Sequence, residues 1–417
     1  MNELPISDEI LALSQKAEKA LKPMFDVFEN NCLQNSAKVL SALHSVKLTA
    51  TDFSETTGYG YFDNGRDKLE RVYSEIFHTE DALVRPQIMS GTHALSLTFF
   101  GLLKPNDTFI SITGEPYDSL KGIIGISGNS RNSLAAYNIK FEQIDLVNDD
   151  FDLKKIETRL SKSTVKMVEI QRSRGYSNRL SLSIEKIERV CALIKKVSPK
   201  TIIMVDNCYG DLVETKEPTD VGADILVGSL LKNLGAGQTK TGGYIVGKKE
   251  LINDIAERFS APCVGKDIGA NLNQLLPMFK GVYSAPSVVC SSLKTMALAS
   301  FMLEELGYIV SPKPMEGRTD IVQTVALGSA EELIEFCRGI QQGVAIENFV
   351  TLMPSEMPGY PHEEIMASGS FISGSTIELS CDGPITPPYT AFMQGSLTYE
   401  YGKLGILIAL SRLKAKK

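Results

Sequence analysis

The feature that most restricts the fold is an alternation of strand-like and helical segments between about residue 66 and residue 250. Short runs rich in β-branched residues recur there, and helical segments such as 183–197 separate them. The runs cover residues 108–112, 140–146, 164–170, 201–205, 223–227 and 243–246. Strands that alternate with helices favour a mostly parallel sheet covered on both faces. We therefore predict an α/β domain here.

The pattern changes after residue 250, and it also differs near the start of the chain. A long helical stretch, 286–306, precedes short strand-like runs at 308–310, 320–326 and 371–379, with helices at 330–341 and 399–413. Residues 8–29 and 37–46 have helical spacing, and Pro23 is expected to kink or interrupt the first of these helices. The sequence predicts an N-terminal helical arm (1–48), a large domain (49–285) and a smaller α+β C-terminal domain (286–417).

Composition and charge exclude several classes of protein. The chain has 43 basic and 50 acidic residues, a net charge of −7, and no basic block, which argues against nucleic-acid binding. The best apolar run, 405–410, is far shorter than the ~20 residues that a spanning helix needs. The start is acidic and lacks the basic and apolar regions of a signal peptide. We expect a cytoplasmic protein without membrane or nucleic-acid partners.

The cysteines and histidines indicate neither a disulfide scaffold nor a metal site. The seven cysteines are scattered, odd in number and never spaced as C-x-x-C, which is typical of reduced, mostly buried thiols. The four histidines show no ligand spacing. We predict no metal-binding residues.

An acid and a lysine follow two neighbouring strands of the predicted sheet. Asp206 ends one strand, Ser229 ends the next, and Lys232 lies three residues further on. Ligands of open α/β sheets bind at the carboxyl ends of strands, so these side chains should converge. A lysine beside a carboxylate suits imine chemistry, since a deprotonated amine attacks an aldehyde. The carboxylate can hold a pyridine nitrogen protonated, which makes the ring an electron sink.

Two further segments fit a phosphorylated aromatic ligand. Ser90 is a candidate N-cap, and Gly91 would let a ligand approach the N-terminus of the helix that follows, where free N–H groups attract phosphate. Ser229 could add a hydroxyl to the same phosphate. Tyr117, after the strand at 108–112, could stack on a flat ring.

Each of these residues also has an ordinary structural interpretation. Asp206 could be a cap, Lys232 a surface lysine, Ser90 a plain helix cap, and His93 a hydrogen-bonded core residue. The segment 235–241 is similar to a phosphate-binding loop, but Thr239 interrupts the required Gly-Lys pair. A nucleotide-binding protein is therefore the third hypothesis, and only the combination of acid, lysine, phosphate cradle and aromatic favours imine chemistry.

The combination resembles the fold type I pyridoxal-phosphate enzymes of the cystathionine and methionine lyase group. Within that group it is similar to the branch of aluminium-resistance or methionine gamma-lyase family proteins. The resemblance covers most of the chain and rests on segments 58–67, 81–87, 90–94, 113–118, 170–177, 205–210, 228–233, 357–360 and 377–384.

The resemblance implies pyridoxal 5'-phosphate as cofactor and a role for each candidate residue. Lys232 would form the Schiff base and then act as general base and acid, while Asp206 would bind the pyridinium nitrogen. Tyr117 would stack on the ring and relay a proton. The phosphate ligands would be Ser90, Gly91, Thr92 and Ser229.

The resemblance also implies a homodimer or homotetramer with shared active sites. In the wider group a Tyr-x-Arg of the neighbouring subunit contacts the phosphate. The corresponding segment begins at Tyr59 and has Tyr61 in place of the arginine. Tyr59 is thus the remaining candidate from this motif.

The implied activity is that of a carbon–sulfur lyase. Methionine, cystathionine or cysteine would undergo β- or γ-elimination to a keto acid, ammonia and a thiol. The arginine that clamps the substrate carboxylate in the wider group is replaced by Thr386, and Arg172, Arg174 and Arg179 are alternative clamps. An aminotransferase, another lyase, or a pyridoxal-phosphate-binding stress protein with little turnover remain alternatives.

Overall fold

The computed structural model describes residues 3–59, 63–357 and 362–415, which contain two β-sheets. The strands of the first sheet are β1 (Asp81–Arg85), β2 (Thr108–Ser111), β3 (Lys140–Gln143), β4 (Met167–Gln171), β5 (Ile202–Asp206), β6 (Ile225–Ser229) and β7 (Gly243–Gly247). Their spatial order is β1-β7-β6-β5-β4-β2-β3. β7 runs in the opposite direction to the other six strands of this sheet. This confirms the predicted α/β class with a mostly parallel sheet.

Helices cover this sheet on both faces. They are α2 (Asn64–Ile76), α3 (Gly91–Leu102), α4 (Asp118–Ile124), α5 (Leu153–Lys162), α6 (Ile184–Val197) and α7 (Lys249–Phe259). Every residue of β4, β5, β6 and β7 is buried, as expected for strands that are covered on two faces.

The N-terminal segment forms one helix, α1 (Asp8–Ser45), rather than two. The predicted interruption of this helix at Pro23 does not occur, because this residue lies on the exposed side of the helix. There the missing N–H and the bulky ring disturb no buried packing. The buried side of α1 packs against a long helix of the C-terminal half, and Asn35 Nδ2 donates hydrogen bonds to the carbonyl oxygens of Leu212 (2.8 Å) and Glu214 (3.2 Å).

The second sheet is antiparallel throughout. It contains β8 (Ile309–Ser311), β9 (Val322–Ala326), β10 (Ser355–Glu356), β11 (Glu363–Ala367), β12 (Ser380–Pro384) and β13 (Thr390–Gln394), in the order β10-β11-β12-β13-β9-β8. Helices α9 (Ala330–Gly343) and α10 (Tyr399–Ala415) accompany it. This is the smaller α+β unit that the sequence predicts.

The strand predicted at 371–379 does not form, and β12 begins at Ser380 instead. The carboxylate of Glu378 accepts hydrogen bonds from the backbone N–H groups of Phe371 (2.9 Å) and Ile372 (3.2 Å). These bonds close the segment into a local loop, and Gly374 (φ +83°) provides a turn conformation within it. The N–H groups of Phe371 and Ile372 are therefore satisfied locally and do not join a ladder.

The two sheets are connected by the helix α8 (Leu275–Glu305), which extends across the predicted domain boundary at residue 285. By length and composition alone this helix could cross a membrane, but 78% of its apolar window is buried inside the protein. It packs against α1, α10, β8 and β9. Its apolar character therefore reflects its position in the core.

Candidate active site

A cavity lies where the carboxyl ends of β5 and β6 face the second sheet. Its wall includes three predicted site residues, Lys232, Asp206 and Tyr117. Asp206 is the last residue of β5, and Lys232 follows β6 by three residues, so the parallel register of the two strands brings both side chains to one edge. The predicted convergence of the acid and the lysine is therefore present in the structure.

The Lys232 amine is held against an aromatic ring. Its Nζ lies 4.0 Å from the centroid of the Tyr209 ring. Burial by itself lowers the pKa of the amine, but Cys208, Tyr209 and Asp206 face it and together raise that pKa above the ordinary value. The raised pKa keeps the side chain as an ammonium ion, and it becomes nucleophilic only after giving up a proton.

Asp206 is fixed by the sheet on both sides. It pairs with Gln171 of β4 and Val227 of β6, and its side chain is nearly buried. One carboxylate oxygen accepts a hydrogen bond from the backbone N–H of Cys208 at 3.1 Å. The carboxylate thus has a defined direction at the base of the cavity, where it can accept a hydrogen bond from a protonated ring nitrogen.

The N-terminus of α3 meets the end of β6 beside Cys208, which lines the cavity. A Cβ atom on Gly91 would lie 3.2 Å from Cys208 Sγ and 3.3 Å from Ser229 Cβ, so the absence of a side chain leaves space between these groups. The Ser90 hydroxyl accepts a hydrogen bond from His93 N–H (3.1 Å) and serves as the N-cap. The free N–H groups of the helix and the Ser229 hydroxyl together form an anion-binding geometry.

Tyr117 lines the cavity, and Thr92 lies in the first turn of α3. Thr92 Oγ1 is 3.1 Å from Ser119 Oγ. The backbone N–H of Tyr117 donates to Gln171 Oε1 at 3.1 Å, and its ring centroid lies 6.1 Å from that of Tyr176. Both aromatic rings border this cavity of about 80 Å³ and also a neighbouring one of about 370 Å³.

Tyr59 is not part of this cavity within one chain. Its side chain is 85% exposed. Tyr61 of the same motif and Tyr360 of the segment 357–360 lie outside the described residues.

The candidate arginine clamps have other partners. Arg172 donates to Asn207 Oδ1 (2.7 Å) and Glu214 Oε2 (2.8 Å) beneath the site. Arg174 contacts Ser311 and Thr324, and Arg179 donates to backbone carbonyl oxygens. Thr386 lies in the turn after β12 and does not line the cavity. Within the described ranges, the wall around Lys232 contains no arginine.

Sequence reasoning missed several residues of the wall. Cys208 and Tyr209 directly follow the Asp206 strand, and Tyr209 has a left-handed backbone (φ +68°), which is rare for a bulky residue and frequent at functional sites. Its hydroxyl donates to Thr376 Oγ1 at 3.2 Å and so links the two halves of the chain. The proximity of Cys208 to Asp206 in the sequence was an available signal. Tyr176 and Asp382 lie in the segments 170–177 and 377–384 that carry the resemblance, but their position in the wall depends on how the second sheet packs.

The sheet order, the antiparallel second unit and the lysine beyond the strand ends define the class of fold type I pyridoxal-phosphate proteins. The pyridoxal-5'-phosphate-dependent protein YhfS of Escherichia coli shares this fold, with a TM-score of 0.62 and 15% identity over 93% of this chain and 96% of that one. More specifically, the chain belongs to the methionine gamma-lyase family, whose sequence model matches residues 10–414.

Two relatives are much more similar to this chain. A carbon-sulfur lyase involved in aluminum resistance from Clostridium novyi has 42% identity and a TM-score of 0.95, covering 99% of this chain and 97% of its own. The uncharacterized Bacillus subtilis protein YnbB is 44% identical over 92% of this chain and 91% of its own length.

Proposed function

We propose that this protein is a pyridoxal-phosphate-dependent carbon–sulfur lyase that acts on a sulfur amino acid and releases a thiol, ammonia and a keto acid by β- or γ-elimination. The observation that carries the proposal is the placement of Lys232 and Asp206 in one cavity, with the Gly91–Ser229 cradle next to Cys208 of the cavity wall. The family assignment and the Clostridium novyi relative support the lyase class.

The residues fit the chemical groups of pyridoxal phosphate. The space beside Gly91 and the helix N-terminus suit the phosphate, Asp206 suits the ring nitrogen, and Lys232 suits the aldehyde. When bound, the cofactor supplies an electron sink that stabilises negative charge at the substrate α-carbon.

The protein's own groups then have separate tasks. Asp206 keeps the ring nitrogen protonated, because its carboxylate is rigidly oriented at the base of the cavity. The Lys232 amine accepts the α-proton and returns a proton to the departing sulfur or to a side-chain carbon. Tyr117 stacks on the ring, and Ser90, Thr92 and Ser229 position the phosphate end. The substrate is a small-molecule amino acid.

The protein is also proposed to act as a homodimer or homotetramer, because an exposed apolar surface adjoins the phosphate cradle. We call this surface the dimer face. It comprises Tyr59, Met89, Leu272, Leu276 and Tyr283.

Hydrogen bonds hold the segments of the dimer face together. Asn271 N–H donates to the Thr56 carbonyl oxygen (3.4 Å), and Gln87 Nε2 donates to the Ala270 carbonyl oxygen (2.6 Å). Met89 directly precedes the Ser90 cap, so a second copy seated here would border the phosphate site. Tyr59 would then reach the partner's active site rather than its own.

Leu276→Asp should dissociate the oligomer and weaken cofactor retention, because it places a charge in the dimer face. Light scattering after size-exclusion chromatography measures the mass of the particle. Ile309→Asp is the matched control, since Ile309 is 78% exposed on the edge strand β8 of the other sheet. An unchanged mass for Leu276→Asp would show that the interface lies elsewhere.

The cytoplasm is the proposed location. All seven cysteines are free thiols, including Cys337 and Cys381, whose sulfur atoms are only 3.8 Å apart. Such a pair remains reduced in a reducing compartment.

The activity is tested by adding pyridoxal phosphate to the purified protein and recording the visible spectrum, followed by keto-acid detection with methionine, cystathionine and cysteine. We expect a borohydride-sensitive visible band and keto-acid formation without any added amino acceptor. Keto acid only in the presence of an acceptor would indicate an aminotransferase. A visible band without turnover would indicate a cofactor-binding protein, and the absence of the band would refute the proposal.

A further inference from the structure

The second sheet forms the wall of the cavity opposite Asp206. Asp382 pairs with Phe392, and Ser380 pairs with Gln394, across β12 and β13. Because side chains alternate along a strand, Asp382, Phe392 and Gln394 lie on one face of this sheet, and all three border the cavity. Cys381 points to the other face, where it meets Cys337. Asp382 is thus aimed at the space where a substrate side chain would lie.

The Asp382 carboxyl group has an unused acceptor. The side chains of Tyr176 and Gln394 hydrogen-bond the carboxyl group, whereas its Oδ1 is buried and has no partner. Burial raises the pKa of Asp382 to about 7, and the two hydrogen bonds only partly oppose this rise. Burying a carboxylate without a counter-charge costs free energy. The Asp382 carboxylate is therefore suited to bind a cationic group of a ligand.

The charges near Asp382 are predominantly negative. Glu364 on the neighbouring strand has a pKa raised to about 7, first by burial and then by Asp382, and its Oε2 also lacks a partner. In the proposed function Lys232 and Asp206 are occupied by the cofactor. The described wall offers no arginine to a substrate carboxylate. This end of the cavity therefore complements a positive group.

We propose that Asp382 binds an ammonium group at the far end of the substrate side chain, so that the protein prefers sulfur amino acids whose departing thiol carries an amine. The cleavage of such substrates rests on the proposed lyase function, whereas the binding of their ammonium group by Asp382 does not. Tyr176 and Gln394 position the carboxylate, and Phe392 packs beside the aliphatic part of the substrate.

S-(2-aminoethyl)-L-cysteine is a substrate of this kind, and its cleavage is a β-elimination. The α-hydrogen is removed as a proton, and the Cβ–S bond breaks with its electron pair on sulfur. The sulfur takes up a proton and leaves as cysteamine. The three-carbon remainder reacts with one water molecule to give pyruvate and ammonia, so no oxidant or reductant is consumed.

Two probes of equal length test the preference. S-(2-aminoethyl)-L-cysteine and S-propyl-L-cysteine differ only in a terminal ammonium or methyl group. The wild-type kcat/KM should favour the aminoethyl compound by about 10- to 100-fold, as expected for a hydrogen bond between charged groups. Asp382→Asn should reduce this ratio to about 1. Glu363→Gln, at an exposed position on β11, should keep the wild-type ratio.

A binding measurement separates this inference from the lyase proposal. Calorimetry with L-lysine and L-2-aminoheptanoic acid, on wild-type protein with cofactor, compares the same two end groups at equal length without carbon–sulfur cleavage. Tighter binding of lysine that Asp382→Asn abolishes would support the subsite even if no sulfur amino acid is cleaved.

Other outcomes would overturn the inference. Equal binding of lysine and 2-aminoheptanoic acid by wild-type protein that cleaves S-propyl-L-cysteine would leave the lyase proposal intact and refute the cationic subsite. A preference for S-carboxymethyl-L-cysteine over both probes would refute it as well, since Asp382 would then face a carboxylate. The wild-type comparisons hold even if Asp382→Asn fails to fold.

Discussion

Lys232→Ala is expected to lower carbon–sulfur lyase turnover by about 10⁴-fold. The loss is large because the same amine has two tasks. It attaches the cofactor aldehyde, and it transfers protons at the substrate carbons. The neighbouring groups Cys208, Tyr209 and Asp206 have no amine that could replace it. Keto-acid release from the best sulfur substrate measures the effect, and the visible absorption of the variant with cofactor should differ from that of wild type.

The matched control is Lys240→Ala, which removes an exposed lysine eight positions further along the same loop region. This variant should keep turnover within about twofold, as is usual for surface substitutions away from special features. Partial recovery of Lys232→Ala by added small amines would support the proton-transfer role. Activity of Lys232→Ala within tenfold of wild type would contradict the assignment of this lysine.

Arg172→Leu is expected to lower the free energy of unfolding by about 3–5 kcal/mol. The guanidinium group is fully buried, donates to Asn207 and Glu214, and lies 3.5 Å from the buried Glu217 carboxylate. Burial raises the pKa of Glu217, and Arg172 opposes that rise. Without the arginine, buried carboxylates would lose their counter-charge beneath the active site.

Chemical denaturation followed by circular dichroism measures this effect. Arg189→Leu is the control, because Arg189 forms an exposed pair with Asp150 at 2.7 Å, and such pairs contribute about 0–1 kcal/mol. A loss no larger than that of the control would show that Arg172 is not a structural anchor. It would also reopen Arg172 as a candidate for the substrate carboxylate.

Much of the large domain could be predicted because its signals are local. Buried parallel strands are continuous β-branched runs, and helices such as α6 have a regular apolar spacing, so their order along the chain indicates the sheet. The strand predicted at 371–379 was wrong because a side chain within the segment competes for its backbone donors. Its backbone groups bind the Glu378 carboxylate, and this alternative is not visible in periodicity.

The sequence by itself determined the fold class and the juxtaposition of Asp206 and Lys232, because both follow from strand order and from the rule that parallel strands end at one edge. Only the tertiary structure decided what faces them. Tyr176 and Asp382 enter the cavity because the second sheet packs over it, and Arg172 is held beneath the site by Asn207 and Glu214. These contacts join residues far apart in the chain, and no local pattern encodes them.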